Sequence, residues 1–276
     1  MNLIVLPLLV LLATSSAFAQ QHPQKKDEKP IQDNSFLLEE AYNQEKGVVQ
    51  HINAFMRRRN GDWVYTFTQE WPVLSQKHQL SYTIPVQRIG KTPDGGRGSG
   101  DIALNYRYQL IGSGDTRVAI APRFSLLLPT GDDKKGLGAG ATGFQMNLPA
   151  SVVLSDHLVT HWNAGTTYTP SAKDALGEKA NLNDFNLGQS FIWQPSSVFN
   201  VMLETIWQSE ESVIAPRLTE RSSTAFVNPG IRWAHNFKSG LQIVPGIAVP
   251  IGIGPSRGDR GVFFYLSFEH PLKKGT

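Results

Sequence analysis

Six charged residues mark where this sequence could act on a solute: Glu70, Arg107, Arg123, Glu204, Arg232 and Glu269. Three guanidinium groups balance three carboxylates. On the inner face of a closed sheet they form either a constriction of fixed charge that selects solutes or a salt-bridged filling that satisfies buried charge. Both readings stand at this level. Catalytic sets are thinner. Strand alternation points His161 to the polar face, and His51 and His235 to the apolar one. No G-x-S-x-G elbow is present, and no histidine has a second histidine or a carboxylate at metal-ligand spacing. The sequence therefore assigns no catalytic residue, no metal and no cofactor. A lipid hydrolase stays as a third reading, and it requires a serine beside one of the three histidines. The run from Gly138 to Gly143 matches G-x-G-x-x-G, but no strand precedes it and no helix follows, as a dinucleotide site needs. It reads as a flexible outer loop.

The elements that would position these charges are extended. From Gly261 to His270, Val262, Phe264, Leu266 and Phe268 share one face while Tyr265, Ser267 and Glu269 share the other. Period-two alternation with one greasy face marks a strand between an apolar and a polar medium. The pattern recurs in about twelve segments, near 47–57, 62–73, 78–88, 99–110, 116–128, 143–154, 158–169, 184–194, 198–208, 224–236, 240–252 and 260–270. Each is near or above the 9–11 residues that a tilted membrane strand needs. This predicts an all-β fold, a transmembrane antiparallel up-and-down β-barrel of about twelve strands over 47–270, with a tail at 271–276. The first strand alternates poorly, so its register is the least determined.

The connections alternate as well. Short turns near residues 75, 113, 156, 196 and 238 separate longer charged or Gly-rich loops at 89–98, 129–142, 170–183, 209–223 and 253–259. That is the arrangement of outer-membrane barrels, with short periplasmic turns and longer outer loops. Trp63 and Trp71, like Phe185 and Trp193, share a face eight residues apart, close to the spacing of two aromatic girdles. Against this, Pro85, Pro122, Pro149, Pro229, Pro245 and Pro250 fall inside proposed strands and each removes a ladder donor. Bulges, lumen water or displaced strand boundaries are expected there.

The chain has 276 residues, a net charge of +3 and no cysteine. That excludes a disulfide framework and thiolate metal sites. With only Arg57–Arg59 as a tight cationic run, nucleic acid is not an expected partner. Residues 1–19 read as a signal peptide, with an apolar run from Leu3 to Leu12 and Ala17-Phe18-Ala19 at its end. Residues 20–46 read as a polar leader followed by a short helix, capped by Asn34 or Ser35. This helical turn would dock beneath the barrel as a plug through Phe36, Glu39, Glu40 and Tyr42, or would merely precede the first strand at the surface.

Four stretches together resemble a family of bacterial outer-membrane proteins named for the MetA pathway of phenol degradation. They are Ser35 to Glu45 (Ser-Phe-Leu-Leu-Glu-Glu-Ala-Tyr-Asn-Gln-Glu), Gly100 to Tyr108, Pro122 to Gly131 and Gly143 to Pro149. The resemblance implies a transporter-like barrel in the bacterial outer membrane and points to aromatic compounds as cargo. It brings no site residues with it. Asp259, Gly261, Phe264 and Leu266 also resemble the assembly signal of such barrels, except that Phe268 does not end the chain. The expected function is passive entry of small, aromatic or otherwise hydrophobic, molecules. The alternative is a structural or interaction protein with a filled lumen. Expected partners are lipopolysaccharide, the barrel assembly machinery and small-molecule cargo.

Overall fold

The computed structural model describes residues 31, 35–90 and 96–272. The expected signal peptide, most of the leader and the Asn34 cap lie outside the described residues. Sixteen strands follow in order: β1 (Val48–Arg58), β2 (Trp63–Val73), β3 (Ser75–Arg88), β4 (Arg97–Ser99), β5 (Ile102–Tyr108), β6 (Val118–Ile120), β7 (Arg123–Leu128), β8 (Gly143–Ser155), β9 (Leu158–Lys173), β10 (Lys179–Ser196), β11 (Phe199–Ala215), β12 (Leu218–Trp233), β13 (His235–Asn236), β14 (Gln242–Ala248), β15 (Ile251–Gly252) and β16 (Gly261–Pro271). Each of β4/β5, β6/β7 and β14/β15 forms one interrupted stave, and β13 is a short extension beside β14. Every neighbouring pair is antiparallel, and β1 pairs with β16, so twelve staves close into a barrel. The first strand runs in unbroken register against both neighbours, from Val48↔Pro271 to Arg58↔Gly261 on one side. Pro271 thus belongs to the wall, one residue beyond the expected end.

Burial is inverted relative to a water-soluble protein. Phe144, Leu148, Trp193 and Phe264 stand about half exposed on the outer face, whereas Gln50, Ser151, Asn200, Glu204, Asn228 and Arg232 are buried inside. An apolar outside and a polar inside is the pattern of a barrel in lipid. Both residues of each expected girdle pair, Phe185 with Trp193 among them, lie on this outer face.

Two expectations about the connections are corrected. Strands β9 to β12 run 16–18 residues against 11 for β1, β2 and β16. Their extra 5–7 residues carry each strand about 20 Å further, so the loops expected at 170–183 and 209–223 are mostly hairpin. Residues such as Glu210, Glu211, Glu220 and Arg221 are polar because both faces meet water there, and polarity alone does not distinguish such a hairpin from a loop. Conversely, the 109–117 connection on the opposite rim is not short, whereas the turn expected at Lys238-Ser239 is present as the tight link between β13 and β14. The rims alternate as expected, but loop length does not.

The prolines interrupt the wall in a specific way. The stave breaks at Gly100-Asp101, Ala121-Pro122 and Val249-Pro250 lie beside Pro85, Pro149 and Pro229 of the adjacent strands. The Gly100, Ala121 and Val249 N–H groups donate to those proline carbonyls at 2.9, 3.2 and 3.0 Å. A strand facing a proline has no donor to receive at that point, and its ladder lapses for two residues. Strand boundaries therefore shift at Pro122 and Pro250. Register passes unbroken through Pro85, Pro149, Pro229 and Pro245, while the irregularities fall elsewhere, as at Val153/Ser155 and Trp193/Ser196.

Candidate functional site

Alternation fixes which side chains enter the lumen, and the lumen is not empty. Residues 35–45 form no helix. They lie extended inside the barrel rather than docking beneath it, which corrects the expected helical turn. Acidic residues after a capping serine suit a helix start, but here the backbone finds better partners in the wall. The N–H groups of Leu37, Glu39, Ala41 and Asn43 donate in turn to Glu204 (3.0 Å), Asn163 (3.0 Å), Ser151 (2.8 Å) and Gln109 (3.1 Å), and that of Gln44 donates to Gln79 (2.7 Å). Carbonyls are served likewise. Glu39 O accepts from Asn163 at 2.7 Å, Ala41 O from Gln109 at 2.9 Å, and Tyr42 O from Arg107 at 2.5 Å. A lone extended segment has no neighbouring strand, so its buried backbone must be satisfied by side chains. Gln79 of β3, Ser151 of β8 and Asn163 of β9 do this, with Arg107 of β5, Gln109 just past it and Glu204 of β11.

The path of the segment follows from these partners. Ile31 lies near Ser155, Asp156 and Gln194, at the rim where both termini of the barrel wall end. From Leu37–Glu39 at mid-lumen the chain descends past Gln109 and Gln79 and enters β1 at Val48. It is a loop inserted from that rim.

Apolar side chains seat it. Phe36 packs on Phe263 (ring centroids 5.6 Å apart) and edge-on to Tyr265 (5.9 Å), over Gly230 and Gly246, where any Cβ would overlap its ring. Leu38 rests on Gly188 in the same manner. Tyr42 stands edge-on to His161 at 5.9 Å. Its burial pushes the phenol up to about 12, opposed by a hydrogen bond with Ser151 and reinforced by the nearby Glu40 carboxylate.

The six predicted lumen charges all lie on the inner face, but they do not pair among themselves as one set. Arg107 is buried and meets Glu40 at 3.4 Å and Glu70 at 3.7 Å. Arg123 meets Glu39 at 2.8 Å. Glu204 accepts from the Leu37 N–H and from Asn228 at 2.6 Å. Glu269 accepts from Gln50 at 2.9 Å. Arg232 lies within reach of Asn200, whose amide oxygen, in the orientation that satisfies both, accepts from it at 3.0 and 3.1 Å. Glu39 and Glu40, counted in the sequence as plug residues, thus complete the charge set of the wall.

The histidines divide. His161 faces inward, and Ser151 Oγ lies 2.7 Å from its Nδ1, the juxtaposition that the hydrolase reading requires. Ser151 also receives the Ala41 N–H, and both residues are fully enclosed under Tyr42. In this state the pair clamps the segment and presents no nucleophile to a substrate. His51 is on the outer face, stacked on Phe67 and His270, and His235 is exposed beside Phe237. Among the described residues no group of three or more His, Cys, Asp or Glu could hold a metal.

The Gly-rich loop differs from expectation. Asp101 accepts the N–H groups of Gly131 (2.9 Å) and Ala139 (2.8 Å), Gln87 donates to Leu137 O (3.0 Å), and Leu137 is buried. Its glycines permit close approach to Asp101 and Asp133 rather than mobility, and the loop is pinned to the wall.

Above Leu37–Glu39 the lumen is open. A cavity of about 500 Å³ at the outer mouth and one of about 440 Å³ below it share Leu37, Met56 and Val64.

A closed twelve-stave barrel with an apolar exterior, a polar lumen and its own N-terminal segment inserted in that lumen defines the class as an outer-membrane-type β-barrel. The chain matches no protein-family model and no curated protein. Among solved structures it is similar to an outer-membrane channel from Pseudomonas putida F1, with a TM-score of 0.61 and 8% identity over 83% of this chain and 97% of that one. More distant are the KdgM porin (TM-score 0.43, 7% identity, 81% and 99% covered) and a mutant of the TodX monoaromatic hydrocarbon channel (0.39, 9%, 82% and 89%). At such identities the likeness is one of fold.

Proposed function

We propose that this protein is a channel of the bacterial outer membrane that passively admits small, aromatic or otherwise hydrophobic, molecules, and that residues 35–46 act as its plug. The observation that carries this is the position of the segment. It occupies the lower lumen, while two cavities that share Leu37, Met56 and Val64 lie above it toward the outer mouth. A barrel built only for structure would need no such vestibule. In the same reading the charged outer surface, including Arg57, Arg59, Lys134 and Arg257, contacts lipopolysaccharide phosphates, and the β16 sequence engages the barrel assembly machinery.

A structural or interaction protein with a filled lumen is the second reading, favoured by how completely the wall satisfies the segment's backbone. Single-channel conductance of the refolded protein, with and without residues 34–45, separates the two. The channel reading expects little current from the intact chain and steady current from the deletion. Silence from both, with the barrel still folded, rejects it in favour of the filled barrel.

A further inference from the structure

The inner face of the barrel is two-sided. Around β7 to β9 it presents Arg123, Gln145, Asn147 and Thr167. Across the lumen, β1 and β16 place Ile52, Ala54, Met56, Phe263 and Tyr265 inward, a greasy stripe where alternation in a lipid-embedded barrel calls for polar groups. Phe226 begins it at the outer mouth. The stripe ends at the ring of Phe36, seated between Phe263 and Tyr265.

The floor of that seat is made by glycines on adjacent strands, Gly230 of β12 and Gly246 of β14. A methyl group at either would collide with the Phe36 ring. Glycine inside a strand weakens it and marks a place where another group comes close to the backbone. Neither glycine has a positive φ; at Gly230 a Cβ would also meet Ala248 and the Ile247 carbonyl, so Gly246 is the position where the ring itself is the obstacle. The walls meet the ring at centroid distances of 5.6 and 5.9 Å, with interplanar angles of 57° and 67°. These are the tilted and edge-on contacts that favour a π face over a saturated ring.

We infer that this niche is a binding site for a single aromatic ring, that the Met56–Phe263 stripe leads cargo to it, and that Phe36 occupies it in the closed state as an intramolecular stand-in for that cargo. The inference rests on the channel reading and names the substrate class and subsite of the same lumen. Cargo arriving down the stripe competes with Phe36, so its apparent affinity is lowered by the fraction of molecules in which Phe36 is seated.

The test is binding of 4-fluorophenol to the refolded full chain in detergent, followed by 19F NMR against protein-free micelles. Phe36→Ala vacates the niche, and binding should tighten about tenfold or more over the unsubstituted chain. In the Phe36→Ala background, Gly246→Val refills the space without meeting Phe36 and should abolish the gain. Heat-shifted gel migration confirms that each variant is folded. Cyclohexanol, of similar size but without a π face, should displace 4-fluorophenol at least about threefold less well than phenol does. Unchanged affinity in Phe36→Ala, or a gain that survives Gly246→Val, overturns the niche. Equal displacement by cyclohexanol overturns its aromatic preference. Binding is read without current, so a conducting deletion variant with no 4-fluorophenol site sinks this inference alone. A bound ring with no conductance in the deletion variant sinks the channel reading instead.

Discussion

Arg107 of the wall and Glu40 of the inserted segment meet at 3.4 Å, both side chains almost wholly buried. The same guanidinium reaches the carbonyls of Glu40 and Tyr42 and the Asn43 side chain, at 3.1, 2.5 and 3.0 Å. One wall cation therefore gathers polar groups from three residues of the segment, Glu40, Tyr42 and Asn43. Removing one partner of a buried pair costs about 3–5 kcal/mol, much more than the pair contributes over an apolar replacement. Arg107→Ala should lower the thermal midpoint of the refolded protein and raise its basal conductance. Glu40→Gln keeps the backbone contacts and should do less of both. Equal effects of the two variants would show that the carboxylate, not the carbonyls, holds the segment.

Gly188 and Leu38 offer a sharper test of docking. Glycine inside a strand is ordinarily worse than alanine by about 0.5–1 kcal/mol, so Gly188→Ala should stabilise a simple wall. Here the new methyl would collide with Leu38, and the single substitution should destabilise. In a Leu38→Ala background the collision is gone and the sign should reverse. Thermal midpoints of the four variants in this cycle are the measurement. Additive effects would mean that Leu38 does not sit on Gly188.

Asp101 holds the Gly-rich outer loop through the Gly131 and Ala139 N–H groups. Asp101→Ala leaves both donors without this acceptor, and the loop should loosen from the rim. Limited trypsin digestion should then cut after Lys134 or Lys135 several times faster than in the unsubstituted protein, with the barrel intact. An unchanged cleavage rate would assign the loop's order to Leu137 instead.

Tyr42 makes docking sensitive to alkali. Its folded-state pKa is raised from 10 to about 12, chiefly by burial, so the docked state favours the protonated phenol. A raised pKa gives stability that is complete below about pH 10 and is lost as pH climbs through 12. Conductance of the intact chain should rise over that window, and Tyr42→Phe should remove the component due to this residue. A Tyr42→Phe profile that overlays the original would refute it.

The barrel was legible because alternation survives in strands with a greasy exterior. Phe264, Leu266 and Phe268 mark β16, and closure with β1 completes the register. Strand ends above the membrane were not legible. Around Glu210 and Arg221 no face is apolar, so period-two alternation has nothing to display. The lumen charges were legible by the same rule, but their partners were not. Glu39 and Glu40 sit in a stretch whose composition suits a helix, and only the wall's Asn163, Ser151, Gln109 and Gln79 make an extended path better. The alternation that found Arg107 also points those uncharged residues inward. An unusual density of amides and hydroxyls facing a lumen was the available sign of a backbone in need of partners.

The charge set yields the last prediction. With the segment in place, Glu39 and Glu40 lie against Arg123 and Arg107. Deleting residues 34–45 takes away both carboxylates, while Arg107 keeps Glu70 at 3.7 Å and Arg123 loses the acid at 2.8 Å. Fixed charge at a constriction sets which ions pass, and a low local dielectric strengthens the effect. The open pore of the deletion variant should therefore favour anions at the Arg123 level. Adding Arg123→Ala should move its reversal potential in a potassium chloride gradient toward the cation side, whereas Arg107→Ala should move it less, because Glu70 already offsets that charge. High salt should shrink both shifts, since the screening length falls to about 3 Å at 1 M. A reversal potential indifferent to Arg123 would place the conducting path away from these charges.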